Sequence, residues 1–130
     1  MSDSAPHTAP GLPGPRDLAD VPAVEVIATL AVHLMTAAAV QLGLGEPDAP
    51  ESNTPAAHEP PAPVDLDEAR KLITALAGLV TAAAPEIGSQ HAAPLRDGLR
   101  TLQLAFREAS VVPDPPGAAP GEKLTGPVLP

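Results

Sequence analysis

The chain has 130 residues, a formal net charge of −9, no cysteine and a single aromatic side chain, Phe106. The length leaves room for one domain at most, and the lack of cysteine excludes disulfides and thiolate metal sites. The overall sign of the charge opposes general binding to nucleic acid. Sixteen of the 19 prolines fall in residues 1–21, 45–64 and 111–130. Proline removes a backbone donor and clashes inside helices, so these clusters mark the boundaries of the segments that can bury apolar surface.

Residues 1–20, with Pro, Gly, Ser and Ala and no periodicity, read as a disordered N-terminal segment. Pro22 then suits a first helical turn. Val24, Ile27, Ala31, Leu34, Met35, Ala38 and Leu42 follow helical spacing and predict a first helix over 22–44. Its polar strip is narrow, formed by Glu25, Thr29, Val32 and Thr36, as in helices covered on several sides. Leu30 and Leu34 are its candidate interaction residues, and Gly43 and Gly45 end it. The run Val26 to Val40 spans 15 residues and includes His33. It is shorter than the ~20 apolar residues of a membrane span, so integral insertion is not expected. The N-terminus lacks a basic start followed by an apolar run. A cytoplasmic protein is therefore expected.

Residues 45–64 read as a disordered, proline-rich loop. Asp65 with Glu68 three residues on matches a capping box and opens a second helix over 65–84. Ala69, Leu72, Ile73, Leu76, Val80 and Ala83 form its apolar seam, and Pro85 is expected to stop it. A turn over 86–93 leads to a third helix over 94–109, since Pro94 would otherwise lie deep inside it. Leu95, Leu99, Leu102, Phe106 and Ala109 make its seam, and Gly98 permits close approach of a neighbour. Arg96, Arg100, Gln103 and Arg107 share another face. Residues 111–130 return to Pro and Gly and read as a disordered tail. The expected fold is a small all-α, three-helix module over 21–110: an apolar first helix plus an antiparallel helical hairpin.

No constellation in the chain calls for catalysis. His33 and Glu25 lie two turns apart and cannot supply a usual metal ligand set. His33 reads instead as a histidine at a helix interface, whose ionisation would make assembly pH-sensitive. Ser89 and His91 beside Glu86 sit on an expected turn with no nameable oxyanion donor. No phosphate-binding glycine loop occurs. No enzyme activity, cofactor or metal is expected. Arg96, Arg100 and Arg107 could hold phosphates, but without aromatic side chains to stack on bases a solvated face is the plainer reading. GEKLTGPV at 121–128 reads as a linker or as a short docking motif, with Lys123 and Leu124 its recognition residues.

The stretches VPAVEVIATLAVHLMTAAAVQLGLG at 21–45, DLDEARKLITALAGLVTAAAPEIGS at 65–89 and HAAPLRDGLRTLQLAFREAS at 91–110 resemble the bacterial family called domain of unknown function 1844. With GEKLTGPV they are similar to its high-GC Gram-positive form. The resemblance implies an apolar helix followed by a helical hairpin, and a loop at 45–64 dispensable for folding. It carries no activity. It also implies a genomic neighbourhood of translation genes. The expected function is thus self-association or binding of a protein partner through the first helix. The alternatives are an accessory factor touching the ribosome or RNA through the arginine stripe, and peripheral membrane association through the first helix.

Overall fold

The computed structural model describes residues 19–44 and 63–129. The disorder expected of residues 1–18 and 45–62 lies outside the described residues. Three long helices, α1 (Ala23–Gln41), α2 (Leu66–Ile87) and α3 (Ser89–Ala109), are followed by a single turn, α4 (Glu122–Thr125). The all-α module is as expected, and no strand occurs among the described residues.

Pro22 precedes α1 with φ −59 and donates nothing, which costs little where the first amides have no intrahelical partner anyway. At the other end Gly43 N–H donates to the Val40 carbonyl (3.0 Å) and Leu44 N–H to the Ala39 carbonyl (2.9 Å), closing the helix at the predicted glycine. Asp65 N–H donates to the Gln41 carbonyl at 2.8 Å, so the end of α1 is tied directly to the start of α2. By length and composition alone α1, of 19 residues, is long and apolar enough to cross a membrane, a test that the core helix of a soluble protein also passes.

Asp65 caps α2 by accepting from Glu68 N–H at 3.1 Å. The Glu68 carboxylate turns outward to Lys71 at 2.7 Å, so only half of the expected box forms. Both ends of the hairpin differ from expectation. Pro85 lies inside α2, which runs on to Ile87, and Pro94 lies inside α3, which begins at Ser89 rather than near 94. A single residue, Gly88, joins the helices with φ +87, which glycine adopts without penalty. Pro85 sits in the last turn of α2 and Pro94 in the second turn of α3, so each deletes one helical bond close to an end. Ala92 is fully buried, and its packing holds the extra first turn of α3 that local preference disfavours.

The core lies where the helices meet: Ala31 and Ala38 from α1 with Leu42 just past its end, Ala69, Ile73, Leu76, Ala77 and Val80 from α2, and Leu95, Leu99, Leu102 and Phe106 from α3. Alanine at so many inward positions lets the backbones approach closely. Met35 of α1 rests on Gly98, where an added Cβ would stand 2.7 Å from its sulfur. The close approach expected at Gly98 is therefore made by α1. The tail is the largest departure from expectation. Instead of being disordered, residues 113–129 fold back over the hairpin and bury Ala119, Glu122 and Val128. Its Pro and Gly residues resemble a solvated linker in composition, yet they supply the fixed and left-handed backbone angles that this path requires.

Candidate interaction surfaces on the hairpin and on α1

The polar face of α3 is the surface on which the tail docks. Gln103 donates to the Pro120 carbonyl at 3.1 Å and to Thr125 Oγ1 at 3.2 Å. Arg107 donates Nη1 to the Asp114 carbonyl at 2.8 Å, and Arg100 reaches the Leu129 carbonyl at 3.3 Å. On α2, Arg70 pairs with Asp114 at 3.0 Å and lies 5.0 Å from the centre of the Phe106 ring. That pair is partly exposed and contributes little on its own. Bases on the hairpin thus face acids on the tail.

Glu122 is the centre of this contact. Its side chain is 0 % exposed and that of Arg107 11 % exposed. Oε2 accepts from Arg107 Nε at 3.0 Å and from Val128 N–H at 3.1 Å. Oε1 accepts from Arg107 Nη2 and from Gly117 N–H, both at 2.8 Å. Burial by itself works to raise the carboxyl pKa. Hydrogen bonds from Arg107, Val128 and Gly117 outweigh it and hold Glu122 below the usual carboxylate range. The hydrogen bond to Glu122 in turn raises the pKa of Arg107. Gly121, one residue earlier, has φ +81, and a Cβ there would meet the Ala77 methyl at 2.8 Å. Only glycine lets the backbone pass so near α2 and deliver the carboxylate.

The three-arginine stripe expected from the sequence is therefore not a free basic surface. Arg107 is committed to Glu122 and Arg100 touches the tail. Arg96 and Arg100 border a cleft of about 410 Å³ between hairpin and tail, with Thr81, Leu124, Thr125 and Val128 on its other walls. Within GEKLTGPV, Lys123 and Leu124 point outward, and Glu122 and Val128 are the residues the hairpin grips. Sequence reasoning missed Glu122 and Asp114, and it placed Gln103 on the right face of α3 without its tail partners. The available signal was the excess of acid in the tail opposite three polar side chains at helical spacing on α3.

On α1 the inward seam runs as predicted from Ala31 to Leu42, with Leu34 and Met35 packed at the margin of the core, whereas Val24 and Ile27 are only half-buried and lie outside it. A second seam faces away from the hairpin. Val26, Leu30, His33, Ala37 and Val40 succeed one another at alternating steps of four and three residues, the spacing of a coiled-coil contact. Leu30 is 39 % and Val40 42 % exposed, and His33 is exposed between them. Apart from His33, the only ionisable side chain on α1 is Glu25. Ser89, His91 and Glu86 are all exposed at the joint of the hairpin, with no hydrogen bond among their side chains. Among the described residues no three metal-ligating side chains cluster.

These features define an all-α domain, a helical hairpin with an apolar helix laid along it and a C-terminal segment latched across it. The chain belongs to the family described as "Domain of unknown function (DUF1844)", whose model matches residues 23–108. That match takes in α1, α2 and nearly all of α3 and ends ahead of the latch. Neither a curated protein nor a solved structure matches the chain.

Proposed function

We propose that the protein is a non-enzymatic, cytoplasmic association module that pairs with a second copy of itself through the outward seam of α1. The observation that carries this reading is the four-three pattern from Val26 to Val40, exposed at Leu30, His33 and Val40 and half-buried at Val26 and Ala37, on a helix whose opposite face already serves the core. Such a face left in water keeps apolar area exposed that a matching face would cover, at about 25 cal/mol per Å². The surface carries no Lys or Arg, with only His33 within it and Glu25 at its edge, so a strongly charged partner gains little from it, whereas the same seam on another copy is complementary. Interfacial membrane helices carry Lys or Arg along their polar face, and α1 has none. A ribosomal or RNA contact through the arginine stripe is less favoured, because Arg107 is already paired.

Five side chains on each partner fall well short of the about 20–30 residues a side of a standard interface, so the pair is a weak one. Sedimentation equilibrium across a concentration series tests the proposal. Leu30→Asp combined with Val40→Asp should leave the circular dichroism of the helices intact, because both side chains are exposed, and should abolish the dimer. A wild-type chain that stays monomeric at several hundred micromolar, or a double variant that dimerises as well as wild type, refutes it. Flotation with liposomes separates this reading from membrane association.

A further inference from the structure

Gln103 has a polar atom that the docked tail does not satisfy. The residue is 1 % exposed, and both N–H bonds of its amide go to the tail, at the Pro120 carbonyl and Thr125 Oγ1. A carbonyl can only accept, so Pro120 fixes the amide with its nitrogen toward the tail. Oε1 is then without a donor among the described residues. The Thr125 hydroxyl cannot supply one, because it donates to the Gly126 carbonyl at 2.9 Å. Buried acceptors left unmatched are costly, and native proteins hold few. Gln103 lines the cleft of about 410 Å³ between hairpin and tail, and Arg96 and Arg100 border the same cleft one helical turn apart. Among the described residues neither guanidinium pairs with a carboxylate, and Arg100 reaches only the neutral Leu129 carbonyl at 3.3 Å. Like charges at this spacing repel, and an anion between them relieves the repulsion.

We propose that this cleft binds a small amphipathic monocarboxylate that also carries an N–H, the chemistry of an N-acylated amino acid with an aliphatic side chain. The carboxylate lies between Arg96 and Arg100, and the N–H donates to Gln103 Oε1. The aliphatic part rests on Val80, Leu99, Leu124 and Val128. Leu124 is 53 % exposed at the edge of the cleft, and the ligand covers it. Charge selects a carboxylate over a phosphate. Asp97 also borders the cleft, so two guanidiniums and one carboxylate leave it with an excess of one positive charge. A monocarboxylate neutralises that excess. A phosphate monoester, at about −1.5 to −2, overshoots it and meets Asp97. The volume falls within the about 300–1,000 Å³ of ligand pockets. The tail forms one wall of the site and keeps its anchoring contacts, since Arg100 has further N–H groups to offer. The ligand therefore does not compete with the tethered tail. The cleft lies apart from the α1 seam, so the site stands independently of the pairing proposed above.

Titration of N-acetyl-leucine into the full chain, followed by backbone amide NMR, tests the proposal. The Thr81, Leu99 and Thr125 amides should shift saturably, in the roughly millimolar range of so small a ligand. N-acetyl-leucinamide, which lacks the charge, and 4-methylpentanoate, which lacks the N–H, should each bind about tenfold more weakly. Gln103 anchors the tail, so its part is read from this ligand series and not from a variant. Arg96→Gln removes a side chain that makes no hydrogen bond to the tail, and it should weaken N-acetyl-leucine several-fold. Leu124→Ala should weaken it likewise, through the lost apolar wall. An unmoved Gly117 amide, which donates to Glu122, shows that the tail stays docked in both variants. Absence of saturable shifts at tens of millimolar overturns the proposal. So does either analogue binding as tightly as N-acetyl-leucine, or binding that survives Arg96→Gln unchanged. Inorganic phosphate that shifts the same amides as tightly would mark a site for anions alone and count equally against it.

Discussion

Glu122→Gln is the most searching single test of how the tail is held. The carboxylate accepts four hydrogen bonds, two at each oxygen, one from the guanidinium and one from a backbone amide. Glutamine keeps one oxygen and presents an NH2 group at the other position. Whichever way the amide is turned, that NH2 faces two donors, so a pair of buried donors loses its acceptor. At about 1–3 kcal/mol for each buried donor left unmatched, and with the ion pair lost, the penalty is about 3 kcal/mol. Few other tail side chains are buried, chiefly Ala119, Pro120 and Val128, so little remains to resist release. The Gly117 and Val128 amides should lose hydrogen-exchange protection by roughly 100-fold, at 1.4 kcal/mol per tenfold change. Amides in the middle of α2 and α3 should be unaffected, because the core of α1, α2 and α3 does not contain Glu122. Two outcomes refute this reasoning. Unchanged protection at Gly117 and Val128 would mean that the buried pair is not what holds the tail. An equal loss at Leu99 would mean that tail and bundle open as one unit.

Further predictions address the tail and the helices separately. The native Glu122 carboxyl lies below its ordinary value, so the docking it supplies is complete above the unfolded carboxylate pKa of about 4.3 and fades as pH falls through the lower native value. Gly117 and Val128 amide shifts followed by NMR should report this transition, and it should vanish in Glu122→Gln. Gly121→Ala places a methyl against Ala77 in a left-handed conformation and should release the tail, and Ala77→Gly should restore only part of the docking, since the backbone strain remains. Gly78→Ala, in mid-α2 with nothing within 4 Å of the added methyl, should stabilise the fold by about 0.5–1 kcal/mol, a rise of a few degrees in Tm by calorimetry. Phe106→Ala removes a side chain that is 2 % exposed in the core and should cost about 3–5 kcal/mol, read from urea unfolding.

Much of the architecture was legible in the chain itself. Proline spacing and 3.6-residue periodicity placed three helices, because helix formation and amphipathic burial depend on neighbours within a few residues. The Asp65 cap and the Gly43 stop were readable for the same reason: both are local devices. The inward seams of α2 and α3 also followed from spacing alone. Other features required the folded molecule. Pro85 and Pro94 looked like boundaries, and only the burial of Ala92 and the one-residue joint at Gly88 carry the helices past them. Arg107 looked like part of a free basic stripe, and Glu122 like one acid in a solvated tail. Their meeting joins residues 15 apart along a path with no periodicity, so no local rule announces it. The second seam of α1 is visible as a pattern, but that it faces water becomes clear only once the hairpin has taken the other side. Local physics set the helices, and the tertiary packing decided which of their faces were already taken.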